Sequence, residues 1–254
     1  KLAALKRFIR ILYELLFSFV LRHPNICIIV QNQDDYSMML TRYRIEPENI
    51  RLIKGSGVDL SDFKGFSPYN KKNIVMLPAR MLGDKGVHEF VAAAELVKSH
   101  APHWRLLLIG AAGYDNPTAI ASAELLAWQR TGNIEYLGHL DNMLPLFQQA
   151  SIVCLPSYRE GMPKVLLEAA AAGCAVVTTN VIGCREAIIP GKTGDLVTVR
   201  NPEELSRALL SLIANRKRRC EYGLAGQKLA AENFSINSVT EQTIQIYKDL
   251  AKHG

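Results

Sequence analysis

Two glutamates frame the segment of this chain with the strongest chemical character. Glu160 is followed by Gly161, Met162 and Pro163, and Glu168 lies eight positions after Glu160. Gly and Pro predict the entrance of a helix, where unpaired N–H groups and the positive end of the helix dipole attract a phosphate. The two carboxylates would repel that phosphate, so they are better suited to accept hydrogen bonds from neutral hydroxyls. The pattern predicts a nucleotide sugar as ligand.

The elements around the glutamates determine how much weight this prediction has. Residues 152–155 are a short apolar run that predicts a strand, and residues 163–172 predict the helix that follows. A strand, a loop and a helix in this order place the glutamates at the C-terminal edge of a parallel sheet, where ligands of open α/β folds bind. Glutamates at this spacing are common in helical proteins, so the order of elements supports the prediction more than the spacing does.

A series of ordered motifs extends this pattern along the chain. They are residues 155–163 and 166–169, with 55–59, 79–86, 116–117, 137–138 and 183–186. Together they resemble the family-4 retaining glycosyltransferases, whose GT-B fold has two Rossmann-like domains facing each other across a cleft. The resemblance covers nearly all of the chain from about Asn25 onward.

Two cations follow the first strand of the repeating pattern. Arg80 and Lys85 lie in the loop after residues 73–77, which predicts that both come close to the helix entrance and meet a diphosphate. A departing diphosphate gains negative charge, and preplaced cations stabilise that charge in the transition state. The resemblance implies that Glu160 holds the transferred sugar and that Glu168 accepts hydrogen bonds from the ribose hydroxyls. Neither glutamate is expected to act as a general base.

The candidate residues divide into two sets. The predicted catalytic residues are Glu160, Arg80 and Lys85. The predicted substrate-binding residues are Glu168, Gly161, Met162, Pro163, Val165, Leu166, Gly138 and Leu140. Gly138 and Leu140 come from another strand end, and we expect them to line the pocket of the base. A direct sugar contact from residues 183–186 is the less favoured reading, since a turn with an Arg/Glu pair is most often structural.

The fold class predicted is α/β. Strands and helices alternate from residue 73 onward, which predicts a doubly wound parallel sheet of the Rossmann-like, GT-B C-terminal type with a partial second domain. A turn-rich stretch at residues 62–70 predicts a linker, so residues 1–65 are expected to end an acceptor-side domain and residues 66–254 to bind the nucleotide sugar. Because family members carry a complete N-terminal domain, we expect the chain to bind donor without transferring sugar.

Composition is that of an ordinary globular protein, and it shows no pattern of a disulfide-bonded, metal-binding or nucleic-acid-binding protein. The 254 residues are 48% hydrophobic and 21% charged, with a net charge of +6. Five cysteines without paired spacing predict free thiols in a reducing cytosol. No metal-ligand spacing or Asp-x-Asp pair occurs, so no metal and no cofactor are expected, and no nucleic-acid partner is predicted.

Residues 2–21 form a basic and apolar segment. The apolar run from Leu15 to Leu21 is too short to span a bilayer, which needs ~20 residues. A helix here is able to lie on an anionic membrane surface or to pack within a larger domain, and packing is the slightly favoured of the two.

The function that the resemblance implies is retaining transfer of a sugar from a nucleotide diphosphate sugar, with UDP as the expected nucleotide. The expected acceptor is a glycan or a polyprenyl-linked molecule in bacterial capsular or surface polysaccharide biosynthesis. Two alternatives stay open. One is a nucleotide-sugar 2-epimerase of the same fold, and the other is a non-catalytic nucleotide-sugar-binding fragment.

Overall fold

The computed structural model describes residues 2–252 of the chain. The strands are β1 (Ile28–Val30), β2 (Ile50–Leu52), β3 (Lys72–Pro78), β4 (Arg105–Ile109), β5 (Glu135–Tyr136), β6 (Ala150–Leu155), β7 (Ala175–Thr179) and β8 (Gly194–Val197). The α-helices are α1 (Leu2–Val20), α2 (Gln33–Thr41), α3 (Val87–His100), α4 (Ser122–Arg130), α5 (Leu144–Gln149), α6 (Lys164–Ala171), α7 (Pro202–Ala214), α8 (Arg216–Asn233) and α9 (Ile236–Lys252). Within residues 2–252, no helix combines the length and the apolar character needed to cross a membrane.

Six of the strands form one parallel sheet in the order β5-β4-β3-β6-β7-β8. The chain builds the sheet outward from β3 in one direction and from β6 in the other, so the strand order reverses between these two central strands. Every residue of β6 and β7 is buried, as expected for strands covered by helices on both faces. The doubly wound α/β sheet predicted from the sequence is therefore confirmed.

The two faces of the sheet carry two separate apolar cores. Side chains of a strand alternate between faces, so Ile74 and Met76 enter one core while Val75 and Leu77 enter the other. The first core includes Leu166 of α6, and the second is closed by α3 and α7. This packing fixes the strand ends from which the site loops leave.

The chain divides into two compact units. One contains the residues up to Lys54 together with those from Val239 onward, and the other is Gly55–Ser238. The first has the two parallel strands β1 and β2 and a small core around Val30, Met39 and Ile50. The division lies earlier in the chain than the predicted boundary at residue 65, and the domain roles assigned to residues 1–65 and 66–254 stay predictions.

Local contacts set several element ends. Asn32 caps α2, because its side chain accepts a hydrogen bond from the Asp35 amide at 2.8 Å. Helix α4 begins at Ser122, and before it the Thr118 amide and hydroxyl both donate to the Asn116 side chain and hold a turn. Pro163 has extended backbone and precedes α6 rather than opening it.

Candidate active site

Two loops meet where the strand order reverses. One follows β3 and the other follows β6, and the carbonyl of Asp84 in the first accepts hydrogen bonds from the Tyr158 amide at 2.8 Å and the Ser157 hydroxyl at 3.1 Å. Gly86 has a left-handed backbone with φ 74°, and a Cβ there would lie 2.1 Å from the Pro156 carbonyl oxygen. Only glycine permits this approach of the two loops. Ligands of doubly wound sheets bind at this reversal point.

The first feature of the site is an ion pair across the two loops. The Lys85 ammonium lies 2.6 Å from the Glu160 carboxylate, and each side chain is 15% exposed. The structure thus brings together two of the three predicted catalytic residues, which are 75 positions apart in the chain. Lys85 was expected to act as a free cation towards a diphosphate, whereas here its charge is balanced by Glu160.

The second feature is a cavity of about 360 Å³ at the ends of β3 and β4. Four of its lining residues are predicted site residues, namely Arg80, Glu168, Val165 and Leu140. Three aromatic or heteroaromatic side chains that the sequence did not single out, Tyr114, His139 and Phe147, also line it. The Arg80 guanidinium lies 5.6 Å from the centre of the Tyr114 ring, a cation–π contact at the cavity.

Glu168 projects from α6 into this cavity. Its carboxylate is 26% exposed and lies 3.5 Å from the Lys164 ammonium, one helical turn earlier. Burial raises the pKa of Glu168 above its ordinary value, and the charge of Lys164 only partly opposes this shift. A carboxylate so placed, partly exposed at the cavity, is suited to accept further hydrogen bonds from a ligand.

The other predicted binding residues have different surroundings. Gly161 is exposed, while Pro163 and Met162 are buried, Met162 within a core of the sheet. The Leu166 side chain is fully buried, and its amide donates to the Pro163 carbonyl at 2.9 Å, so the structure gives Leu166 a packing role. The Gly138 carbonyl accepts a hydrogen bond from the Gly110 amide at 2.7 Å, and the adjoining residues 139 and 140 line the cavity instead.

The turn at residues 183–186 packs against the loop that follows β6. A Cβ on Gly183 would lie 2.2 Å from the Gly161 carbonyl oxygen, so its backbone packs directly against the loop that carries Glu160. Cys184 is fully buried, and burial raises the pKa of its thiol to about 11. Within the described part of the chain no cluster of three or more His, Cys, Asp or Glu residues is arranged to hold a metal ion.

Comparison with known proteins identifies the family. The model of the family described as glycosyl transferases group 1 matches residues 60–229. The chain belongs to this family. It is 30% identical to the N,N'-diacetylbacillosaminyl-diphospho-undecaprenol alpha-1,3-N-acetylgalactosaminyltransferase of Campylobacter jejuni, in an alignment that covers 99% of this chain and 66% of the relative. It is 25% identical to the capsular polysaccharide biosynthesis glycosyltransferase CapM of Staphylococcus aureus, over 73% of this chain and 48% of CapM.

Solved structures agree on the fold. The Anabaena protein HepE, solved in complex with UDP-glucose, superposes with a TM-score of 0.73 at 20% identity and covers 89% of this chain and 64% of HepE. This group 1 glycosyltransferase chain thus spans about half to two thirds of the length of the proteins it matches. Both curated relatives are glycosyltransferases, and the comparison does not favour the epimerase alternative.

Proposed function

We propose that this chain binds the donor for a retaining glycosyltransferase that moves a sugar from a UDP-linked donor to a glycan or polyprenyl-linked acceptor in bacterial polysaccharide biosynthesis. One observation supports this above the others. The cavity that contains Arg80 and Glu168 opens at the same sheet edge as the Lys85–Glu160 pair.

The nucleoside part of the donor fits the cavity by size and chemistry. A volume of about 360 Å³ lies within the range of small-molecule sites. Glu168 accepts hydrogen bonds from the two ribose hydroxyls, and the base lies among Leu140, His139 and Tyr114. An ionised carboxylate has the acceptor capacity for both hydroxyls beside its contact with Lys164.

The diphosphate lies towards the loops. Arg80 leaves the Tyr114 ring and makes directional hydrogen bonds to phosphate oxygens, and the amides that open α6 face the same group. As the bond to the sugar breaks, negative charge grows on the leaving diphosphate, and Lys85 stabilises it as Glu160 shifts its hydrogen bonds to the sugar hydroxyls. The acceptor attacks on the face from which the diphosphate departs, and no protein nucleophile is assigned.

Relatives support the chosen donor and acceptor classes. HepE is described in complex with UDP-glucose, and the name of the Campylobacter jejuni relative includes a diphospho-undecaprenol acceptor. CapM is named for capsular polysaccharide biosynthesis. These names suggest the corresponding molecules for this chain.

A lipid-linked acceptor also suggests a location. We propose that the protein works in the cytoplasm at the inner face of the membrane, with α1 in contact with anionic lipid. Exposed apolar side chains follow one another along α1 at helical spacing, among them Phe8, Leu12 and Phe19, and Arg7 and Arg10 are exposed on the same helix. The cysteines resolved in this structure are all free thiols, consistent with a reducing compartment.

Calorimetric titration tests the donor assignment. We expect UDP to bind the chain equally well with and without EDTA, since Arg80 and the start of α6 supply the positive field. Arg80→Ala is expected to weaken UDP binding about tenfold or more while changing uridine binding little, because the guanidinium contacts the diphosphate.

The matched control for this titration is Arg105→Ala. Arg105 begins β4, where it pairs with Glu135 at 2.6 Å, away from the strand ends that carry the site. This variant should bind UDP as the wild type does. Loss of UDP binding on chelation, or an equal loss of UDP and uridine binding in Arg80→Ala, would show that the assignment is wrong.

A further inference from the structure

Tyr158 joins three elements beside the proposed site. Its hydroxyl donates to the Glu89 carboxylate of α3 at 2.6 Å, and its amide donates to the Asp84 carbonyl at 2.8 Å. The guanidinium of Arg200, which follows β8, lies 4.6 Å from the centre of the Tyr158 ring. Tyr158 lies two residues before Glu160, in the same loop after β6.

Two unfavourable features meet at Tyr158. Arg200 has a left-handed backbone, with φ 58°, which is uncommon for any residue but glycine. The second carboxylate oxygen of Glu89 is buried and has no hydrogen-bond partner among the described residues. Both features persist only where the surroundings enforce them, and they are typical of functional sites. The contacts of Tyr158 are therefore more than incidental packing.

The contacts have a direct consequence for the ion pair. Asp84 immediately precedes Lys85, so the Tyr158 amide fastens the loop that carries Glu160 to the loop that carries Lys85. The hydroxyl fastens the same loop to α3, the helix that begins just after Lys85. We propose that Tyr158 is a positioning residue that keeps Glu160 within hydrogen-bonding distance of Lys85. The importance of that pair rests on the proposed function, whereas the loop contacts themselves do not.

The chain contains its own matched control. Tyr222 has a similar set of partners, because its hydroxyl donates to the Asp195 carboxylate at 2.9 Å and the Arg218 guanidinium lies 4.9 Å from its ring. Arg218 also donates to the Tyr222 hydroxyl, at 2.6 Å. Tyr222 belongs to α8 and is not part of either site loop. Tyr158→Phe and Tyr222→Phe each remove a hydroxyl that donates to a carboxylate beside an arginine, and only the first acts on the loop that carries Glu160.

Cys184 reports whether that loop opens. Its thiol is fully buried, and the adjoining Gly183 packs against the Gly161 carbonyl of the loop. Cys154 is equally buried but lies in the central strand β6, so it becomes reactive only when the unit unfolds. Alkylation of the full chain, followed over time by peptide mass spectrometry, measures both thiols in one sample.

The expected result is a change at one thiol only. Tyr158→Phe should raise the alkylation rate of Cys184 about tenfold, because a hydrogen bond to a charged acceptor is lost, and leave Cys154 unchanged. Tyr222→Phe should leave the Cys184 rate as in the wild type. Glu89→Met removes the acceptor of the Tyr158 hydroxyl, so it should raise the alkylation rate of Cys184 as Tyr158→Phe does. Glu89→Gln keeps an acceptor oxygen, so Cys184 in this variant should be alkylated slowly, as in the wild type.

Three results would overturn the proposal. They are an unchanged Cys184 rate in Tyr158→Phe, an equal rise at Cys154 and Cys184, and an equal effect of Tyr222→Phe. UDP titration of the wild type runs in parallel. Failure of UDP to bind would contradict the proposed function, while the alkylation rates would still decide the role of Tyr158.

Discussion

At the scale of single residues, Glu168 is expected to lower the stability of the folded chain while it strengthens ligand binding. Burial raises the pKa of this carboxyl, so the ionised form is less favourable in the folded chain than in the unfolded one. An acid with a raised folded-state pKa lowers stability above that pKa, and the penalty disappears as the pH falls and the group becomes protonated. Replacing Glu168 by Gln removes the penalty at neutral pH. It also removes the charged acceptor for the ribose hydroxyls.

Glu168→Gln is therefore expected to weaken UDP binding about tenfold, since hydrogen bonds to a charged group are worth ~1.5–3 kcal/mol each. Its Tm at neutral pH should be equal to or higher than that of the wild type. Wild-type affinity should rise from mildly acidic to neutral pH as Glu168 ionises, and the variant should lack this part of the rise. Calorimetry and thermal unfolding of both proteins in the same buffers measure these effects. A lower Tm with unchanged affinity would assign Glu168 to packing alone.

The sequence predicted that the charged candidate residues gather at one sheet edge, but it did not predict their pairing. Glu160, Glu168, Arg80 and Lys85 follow strand ends, so a parallel sheet brings them to one edge. The contact between Lys85 and Glu160 depends on the exact path of two loops, which Gly86 permits by its close approach to Pro156. No local pattern encodes a contact between residues that far apart.

The sequence did not predict the aromatic residues near the candidate site, for a related reason. Tyr114 and Tyr158 have no characteristic spacing, and their roles come from partners elsewhere in the chain, Arg80 and Glu89. Leu166 shows the opposite error. It lies within a motif of the family, but its position on α6 directs the side chain into the core.

At the scale of elements, the close approach of the two site loops predicts that a side chain at Gly86 destabilises the protein. Gly86→Ala would place a Cβ 2.1 Å from the Pro156 carbonyl oxygen, at a backbone with φ +74°. Gly132→Ala has a similar backbone, φ +76°, with no atom within 4 Å of the new Cβ. The two variants share the cost of left-handed backbone, and only Gly86→Ala adds a collision.

We expect Gly132→Ala to lose about 1–2 kcal/mol of unfolding free energy from backbone strain. Gly86→Ala should lose a further ~1–3 kcal/mol, because the colliding atom is backbone and cannot rotate away. It should also weaken UDP binding, which Gly132→Ala should not. Urea unfolding and UDP titration of both variants provide the comparison. Equal losses of stability would mean that the loops separate at little cost.

Hydrophobic periodicity predicted the strands and helices themselves better than it predicted where they end. Helix α3 spans Val87–His100, because Gly86 ends the preceding turn and the apolar face is regular. Strands β1 and β2 are only three residues each, too short to be bounded by periodicity. The hydrogen bond that the Thr118 amide donates to the Asn116 side chain holds a turn before α4, and helix propensity alone does not predict such a contact.

At the scale of the whole molecule, net charge and apolar surface act together. The chain has a net charge of +6, and α1 presents a row of exposed apolar side chains in which Phe8 is 63% exposed and Phe19 78%. The opposite side of α1 is already used, since Phe17 packs into the small core around Val30 and Leu21 is buried. A soluble monomer rarely leaves such a patch uncovered.

An anionic lipid surface covers the apolar row, and the exposed cations Arg7 and Arg10 on other faces of α1 add electrostatic attraction, because cations near such a surface gain ~1 kcal/mol each. We expect the chain to sediment with vesicles that contain anionic lipid, and to do so less as salt is raised, since screening weakens the charge contribution. Vesicles of zwitterionic lipid alone should retain less protein.

Variants distinguish lipid binding through α1 from nonspecific adsorption of exposed apolar side chains to vesicles. Phe19→Ser should reduce binding to anionic vesicles several-fold through lost apolar burial, and Arg7→Glu combined with Arg10→Glu should reduce it through lost charge. Tyr69→Ser is the control, because Tyr69 is also an exposed aromatic, at 55%, but lies in the unit Gly55–Ser238. It should bind vesicles as the wild type does. If the wild type does not sediment with anionic vesicles, or if Tyr69→Ser loses as much binding as Phe19→Ser, then α1 has a protein rather than a lipid neighbour, and its apolar row belongs to a packed interface.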